Sequence, residues 1–188
     1  MGLANRITFF RIALAPVFAG LFSAWAAWRD PVWLILVWVV FLLSEFSDVL
    51  DGWVARKLGQ TSDLGKLLDP FSDVLSRLTI FTVLLLVGIA PLWFFLIVLY
   101  REVSMTFLRL LIVQQGVVQG ASSGGKIKAW LYFFASLAGM VHVTWPDFGG
   151  STVAFWVLNG LFGLAALLSV VSFGQYLAGY AKLRRTTK

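Results

Sequence analysis

Residues 78–100 contain no Asp, Glu, Lys or Arg, and neither do residues 12–28, 129–146 and 148–181. A helix needs roughly 20 apolar residues to cross a hydrocarbon layer about 30 Å thick, so runs of this length direct the chain into a bilayer. Composition agrees: 60% of the 188 residues are hydrophobic, 13% are charged, and the mean hydropathy is +0.87. A soluble domain carries about 25% charged residues, and a disordered chain lacks the Phe, Trp, Leu and Val that dominate here. With no cysteine in the chain, disulfides, thiolate metal sites and cysteine nucleophiles drop out. Any chemistry must come from carboxylates, hydroxyls and cations.

Six spans are expected, approximately Ile7–Trp28, Val32–Val54, Lys66–Val87, Pro91–Gln114, Lys126–Trp145 and Ser151–Tyr180. Gly88-Ile89-Ala90-Pro91 breaks the long charge-free run between Arg77 and Arg101 and reads as a tight turn. The links are short, which predicts a single six-span membrane domain over residues 1–188. This is an all-α integral membrane fold.

Six spans place both termini on one side. Arg6, Arg11, Arg56, Lys57, Lys66, Lys126, Lys128, Lys182, Arg184, Arg185 and Lys188 then fall on that side, and Arg29 alone falls opposite. The positive-inside rule makes the crowded side cytoplasmic, so the expectation is a multi-pass plasma-membrane protein with both termini in the cytoplasm. A cleaved signal peptide is the alternative reading of the first segment. It would put the basic C-terminal tail opposite the mature N-terminus, an arrangement the charges do not favour. The net charge of +6 is taken up by this orientation and by anionic lipid, with no nucleic-acid partner implied.

Five of the nine acids, Glu45, Asp48, Asp51, Asp69 and Asp73, fall within spans two and three. Intramembrane carboxylates cost a few kcal/mol each on insertion scales and are functional by default. Asp48 and Asp51 are spaced i, i+3 and Asp69 and Asp73 i, i+4, so each pair shares a helical face. At about 1.5 Å per residue, Asp51 and Asp69 lie roughly 5 Å from their helix ends and Asp48 and Asp73 roughly 10 Å, all toward the cytosolic face. Four hard oxygen ligands around one small volume suit a pair of divalent ions such as Mg2+ or Mn2+. The alternatives are buried ion pairs with Arg77, Arg101 and Arg109, or the ion path of a cation or proton transporter. A transporter path predicts charges near mid-bilayer and related breaks in two halves, whereas these acids cluster toward one face.

The stretch reads D48-V-L-D51-G52-W-V-A55-R56, eight residues, then G65-K-L-L-D69-P-F-S-D73. It resembles the CDP-alcohol phosphotransferases, whose signature D-x2-D-G-x2-A-R-x8-G-x3-D-x3-D is matched at every specified position, and that family has six spans. The resemblance implies that Asp48, Asp51, Asp69 and Asp73 hold two divalent ions, Mg2+ or Mn2+. It implies that Asp73 is also the general base that deprotonates an acceptor hydroxyl, which attacks the diphosphate and releases cytidine monophosphate. Gly52 and Ala55 keep one face small where a nucleotide approaches, and Arg56 offers a planar fork to the diphosphate. Asn5, Thr8, Ser62 and Gly65 complete the implied CDP-binding set, with Gly65 read as the turn into span three and Thr61 as a second loop hydroxyl. A homodimer is implied as well.

The segments N5-R-I-T8-F-F-R11 and R101-E102…R109…G125-K126-I-K128 resemble the phosphatidylglycerophosphate synthase branch, which uses CDP-diacylglycerol and glycerol 3-phosphate. The chain differs from that branch at Ala4 and Val74, where the branch has proline and lysine. Arg77, one turn after Asp73, is the candidate replacement cation. Two divalent ions about neutralise four aspartates, so a phosphorylated acceptor needs further cations. Arg11, Arg77, Arg101, Arg109, Lys126 and Lys128 are the candidates, the alternative being that Lys126 and Lys128 only flank span five and that Arg101 is matched by adjacent Glu102. Inositol phosphate, serine, choline or another alcohol remain alternative acceptors. His142 is expected to be a hydrogen-bonded interior residue, and the nine Trp to be interfacial anchors and lipid-facing bulk.

Overall fold

The computed structural model describes the backbone of residues 3–58, 63–114, 123–145, 147 and 151–186, and the side chains of residues 8–47, 68, 70–109, 111–112, 127–145, 147 and 151–181. Among these the chain is all helical, with six long helices: α1 Leu3–Trp28, α2 Pro31–Leu58, α3 Asp63–Leu86, α4 Leu92–Gln114, α5 Ser123–Thr144 and α6 Thr152–Thr186. Within α1, α5 and α6 the segments Thr8–Trp28, Ile127–Thr144 and Thr152–Ala181 are long and apolar enough to cross a membrane, and Pro31–Ser47 of α2 is a shorter apolar stretch. Helices α3 and α4, at 24 and 23 residues, are also of spanning length but carry the charges that concern function. Large apolar side chains such as Ile35, Phe46, Phe107, Trp130, Val153 and Trp156 lie exposed along the helices, as a lipid-facing surface requires. The chain is a membrane protein.

Residues 1–83 and 84–188 form two compact units. In the first, α1 and α2 are joined by a turn whose chemistry is local. Arg29 takes the left-handed conformation (φ 54°) just past α1, donates its N–H to the Trp25 carbonyl at 2.8 Å, and stacks its guanidinium over the Trp25 ring at 4.6 Å. Asp30 then caps α2, accepting the Val32 N–H at 2.7 Å, with Pro31 at the first helical position. The two helices pack along Leu14, Phe18, Phe22 and Trp25 of α1 and Val37, Val40 and Phe41 of α2, with the Phe18 and Phe41 rings 6.4 Å apart.

The buried stripe of each helix in this unit changes character along its length. In α1 it is polar at the start, Thr8 and Arg11, and apolar beyond. Among the described residues of α2 it is apolar first and then carries Ser44 and Ser47, while among those of α3 Ser72 and Ser76 precede Ile80 and Phe81. The described polar members of these stripes are thus Thr8 and Arg11 on α1, Ser44 and Ser47 just before the motif on α2, and Ser72 and Ser76 at and just beyond its last aspartate on α3.

The second unit opens on the break foreseen at Gly88. Its N–H bonds the Leu85 carbonyl at 3.0 Å, the Ile89 N–H bonds the Leu84 carbonyl at 2.8 Å, and Gly88 has φ 76°, which together make a Schellman end to α3. Helix α6 packs on both α4 and α5. The buried residues recur at helical spacing: Phe94, Val98, Arg101, Glu102, Met105, Leu108 and Ile112 on α4; Lys128, Tyr132, Ala135, Ser136 and Met140 on α5; Leu158, Phe162, Ala165, Ser169 and Ser172 on α6. Phe94 and Phe162 meet at 4.6 Å. Polar residues are thus embedded in otherwise apolar stripes on all three helices.

Candidate active site

Asp73 and Arg77 lie one turn apart on α3, and Arg77 donates from Nε to Asp73 Oδ1 at 2.7 Å. Buried Arg11 of α1 brings Nη2 to 4.0 Å from the same oxygen. Two guanidiniums from two helices thus converge on one carboxylate, which keeps 36% of its side-chain surface exposed. Thr8, one turn before Arg11, is fully buried, as is Ser72 beside Asp73. Ser76, three residues after Asp73, is buried, and its Oγ has no hydrogen-bond partner among the described residues.

The backbone is helical through residues 48–51 and 69–73, so Asp48 and Asp51 share one face of α2, and Asp69 and Asp73 one face of α3. The side chains of Asp48, Asp51 and Asp69 lie outside the described residues, as do those of Asn5, Gly52, Ala55, Arg56, Gly65 and Lys126, and the whole of Thr61 and Ser62. For this reason no group of three or more candidate ligands is found among the described residues. The donor set itself fits a hard divalent ion: four carboxylates at spacings that two continuous helices keep in register, with the one described member, Asp73, open to solvent. Gly65 differs from expectation. Helix α3 already begins at Asp63, so Gly65 belongs to its first turn.

In the second unit Arg101, Glu102 and Lys128 form one buried cluster. Arg101 Nη1 donates to both Glu102 oxygens at 2.8 and 2.9 Å, and Lys128 Nζ donates to Glu102 Oε1 at 2.7 Å. Arg101 Nη2 also donates to Ser172 Oγ at 3.1 Å, and that hydroxyl donates to the Ser169 carbonyl at 2.9 Å. Lys128 Nζ sits 4.9 Å above the Tyr132 ring, whose hydroxyl is 2.7 Å from Ser169 Oγ. Arg109 is exposed on α4.

Four of the six acceptor-site cations singled out from sequence thus fall into two groups, Arg11 and Arg77 around Asp73, and Arg101 and Lys128 around Glu102. The pairing of Arg101 with adjacent Glu102 is the alternative that the sequence offered; that Lys128 shares this acceptor was missed, and so were Ser172, Tyr132 and Ser169. One signal was available: Glu102 is the only acid between Asp73 and Asp147. His142 also departs from expectation, because its Nδ1 is buried without a hydrogen-bond partner among the described residues.

The family description CDP-alcohol phosphatidyltransferase matches residues 1–172. A Bacillus subtilis (strain 168) protein named CDP-diacylglycerol--glycerol-3-phosphate 3-phosphatidyltransferase is 32% identical over 185 residues, spanning 93% of this chain and 92% of that protein. A protein of the same name from Treponema pallidum (strain Nichols) is 38% identical over 145 residues, 73% of this chain and 67% of that one. Another of that name, from Pseudomonas fluorescens, is 30% identical over 182 residues, 94% and 89% of the two chains.

Proposed function

Because the chain belongs to the CDP-alcohol phosphatidyltransferase family, we propose that it transfers the phosphatidyl group of CDP-diacylglycerol to glycerol 3-phosphate, giving phosphatidylglycerophosphate and CMP. The observation that carries the reading is the carboxylate of Asp73, partly open and gripped by Arg77 and Arg11 at the end of the complete aspartate motif. The names of the relatives support glycerol 3-phosphate as the acceptor.

Asp73 takes the proton from the acceptor hydroxyl as the oxygen attacks the phosphorus that bears the diacylglycerol. The bond from that phosphorus to the CMP oxygen breaks, and CMP leaves with the electron pair. Asp48, Asp51, Asp69 and Asp73 would hold two divalent ions, Mg2+ or Mn2+, whose chemistry when bound is to polarise phosphoryl oxygens and neutralise the leaving group. Asn5, Thr8, Gly52, Ala55, Arg56, Ser62 and Gly65 bind the CDP moiety. Arg11, Arg77, Arg101, Arg109, Lys126 and Lys128 serve the acceptor phosphate. A guanidinium has five N–H donors, so the bond from Arg77 to Asp73 does not exhaust it.

The reading extends to a single catalytic domain of six spans in the plasma membrane, both termini cytoplasmic, acting as a homodimer. The eleven-to-one bias of loop cations supports the orientation. It also puts the aspartates at the cytosolic interface, where the acyl tails stay in hydrocarbon while the diphosphate reaches the site. The test is CMP release by the purified full-length protein from CDP-diacylglycerol with glycerol 3-phosphate, inositol phosphate, serine or choline. Glycerol 3-phosphate should be preferred, and release without that preference removes the acceptor assignment.

A further inference from the structure

Ser76 occupies the face of α3 on which both motif aspartates of that helix lie. At about 100° per residue it falls roughly 20° from Asp69 and roughly 60° from Asp73 around the helix, and about 4.5 Å further along the axis than Asp73. That direction leads toward residues 78–100, the run without Asp, Glu, Lys or Arg. Ser76 therefore sits just under one turn deeper than Asp73, on the hydrocarbon side of the site. Its side chain is 7% exposed, and its Oγ is buried with no hydrogen-bond partner among the described residues. A serine in a helix has an acceptor within reach in the carbonyl of the preceding turn. Thr79 uses it, donating to the Leu75 carbonyl at 2.8 Å, and Thr82 donates to the Leu78 carbonyl at 2.7 Å. Ser47 of α2 does the same toward the Ser44 carbonyl at 2.9 Å. Ser76 leaves that bond unmade, so its hydroxyl is turned away from the α3 backbone. A buried donor without a partner carries its full desolvation cost, which a ligand that brings an acceptor to this depth recovers.

We propose that Ser76 binds the lipid substrate: its hydroxyl donates to an ester carbonyl of the diacylglycerol part and so sets the depth at which the lipid's phosphorus meets Asp73. The chemistry of the lipid selects the ester. The attacked phosphorus must come to Asp73, and from it the molecule runs through its glycerol backbone into hydrocarbon, so the esters are the first carbonyl acceptors on the membrane side. The nucleotide leads in the other direction, and the acyl chains beyond the esters offer no acceptor. Since Oγ is covered in the ligand-free chain, the bond is made as the lipid seats and not before. The proposal rests on the reading above that CDP-diacylglycerol is the donor and Asp73 the base, and it is independent of which alcohol accepts.

The test compares CMP release by the full-length protein from CDP-diacylglycerol and from its diether analogue, which lacks the ester carbonyls, in mixed micelles with the acceptor that wild type prefers. Wild type should use the ester with a kcat/KM about three- to tenfold above that for the ether, the range for one neutral hydrogen bond. Ser76→Ala should lose that preference, using ester and ether within about twofold of each other, and the loss should appear against the lipid and not in the KM for the acceptor. With no bond to lose in the ligand-free chain, Ser76→Ala should melt at or above wild type. A melting temperature lower by several degrees would show that the hydroxyl serves the fold, and overturns the proposal. So does a Ser76→Ala protein that keeps the ester preference, or a wild type that has none. A rise confined to the acceptor KM would move the hydroxyl to the acceptor and overturns it as well. Wild type that releases no CMP from CDP-diacylglycerol with any acceptor removes the parent reading, and this proposal with it. Wild type and Ser76→Ala that both prefer the ester remove the role of Ser76 alone.

Discussion

Arg77 donates from Nε to Asp73 Oδ1 at 2.7 Å across one turn of α3. Because the spacing is i, i+4, the bond needs no help from the rest of the fold to form, and the cation travels with the carboxylate. The last aspartate of the motif therefore carries its own orienting group at a position where Val74 supplies none.

Replacing the carboxylate tests its role directly. Asp73→Asn preserves shape and helix but cannot take a proton, so membrane insertion should be intact and CMP release should fall by at least about 10²-fold, the lower range for losing a general base. Insertion is checked by extraction and melting of the purified variant. Near-normal release would exclude Asp73 as the base.

Removing the partner should do less. Arg77→Ala leaves Asp73 with Arg11 at 4.0 Å, and the expected result is a fall in kcat of about tenfold, the scale for losing a group that orients another. Arg77→Lys keeps the charge without the planar fork and should fall between. If Arg77→Lys equals wild type, charge alone is what Asp73 requires there. If Arg77→Ala equals wild type, the bond has no part in turnover.

Part of this was legible in sequence because it is local. The Asp73 and Arg77 spacing and the turn at Gly88 follow from residue type and helical period alone. The bond between Glu102 and Lys128 was not, since it joins α4 to α5 across 26 residues, and only packing decides which face of α5 turns toward α4. The start of α3 was placed too late for a related reason. Gly65 looks like a break in the chain, but Asp63 before it is an acidic residue type at a helix start, where the helix dipole favours it. The side chains of Asp48, Asp51 and Asp69 remain known from spacing on continuous helix.

Chelation separates the aspartate cluster from a purely structural ion-pair network. An oxygen-only donor set binds hard divalent ions, so EDTA should abolish CMP release and Mg2+ or Mn2+ should restore it. The melting temperature should rise on adding the ion back, because an ion that binds only the folded state stabilises it. Turnover that survives exhaustive chelation would leave the four aspartates without a metal to hold.

Packing in the second unit gives a prediction independent of the chemistry. A Cβ built on Gly139 of α5 would stand 2.6 Å from Leu84 Cδ1, and Leu84 is fully buried, so it has little room to yield. Overpacking of this kind costs about 1–3 kcal/mol. Gly139→Ala should therefore lower the melting temperature in detergent while leaving CMP release at low temperature close to wild type. Adding Leu84→Val withdraws the clashing methyl and should return part of the loss, although Leu84→Val alone is destabilising because it opens a small void. The measurement is a double-mutant cycle on melting temperature. Losses that simply add would mean that the new methyl meets something other than Leu84.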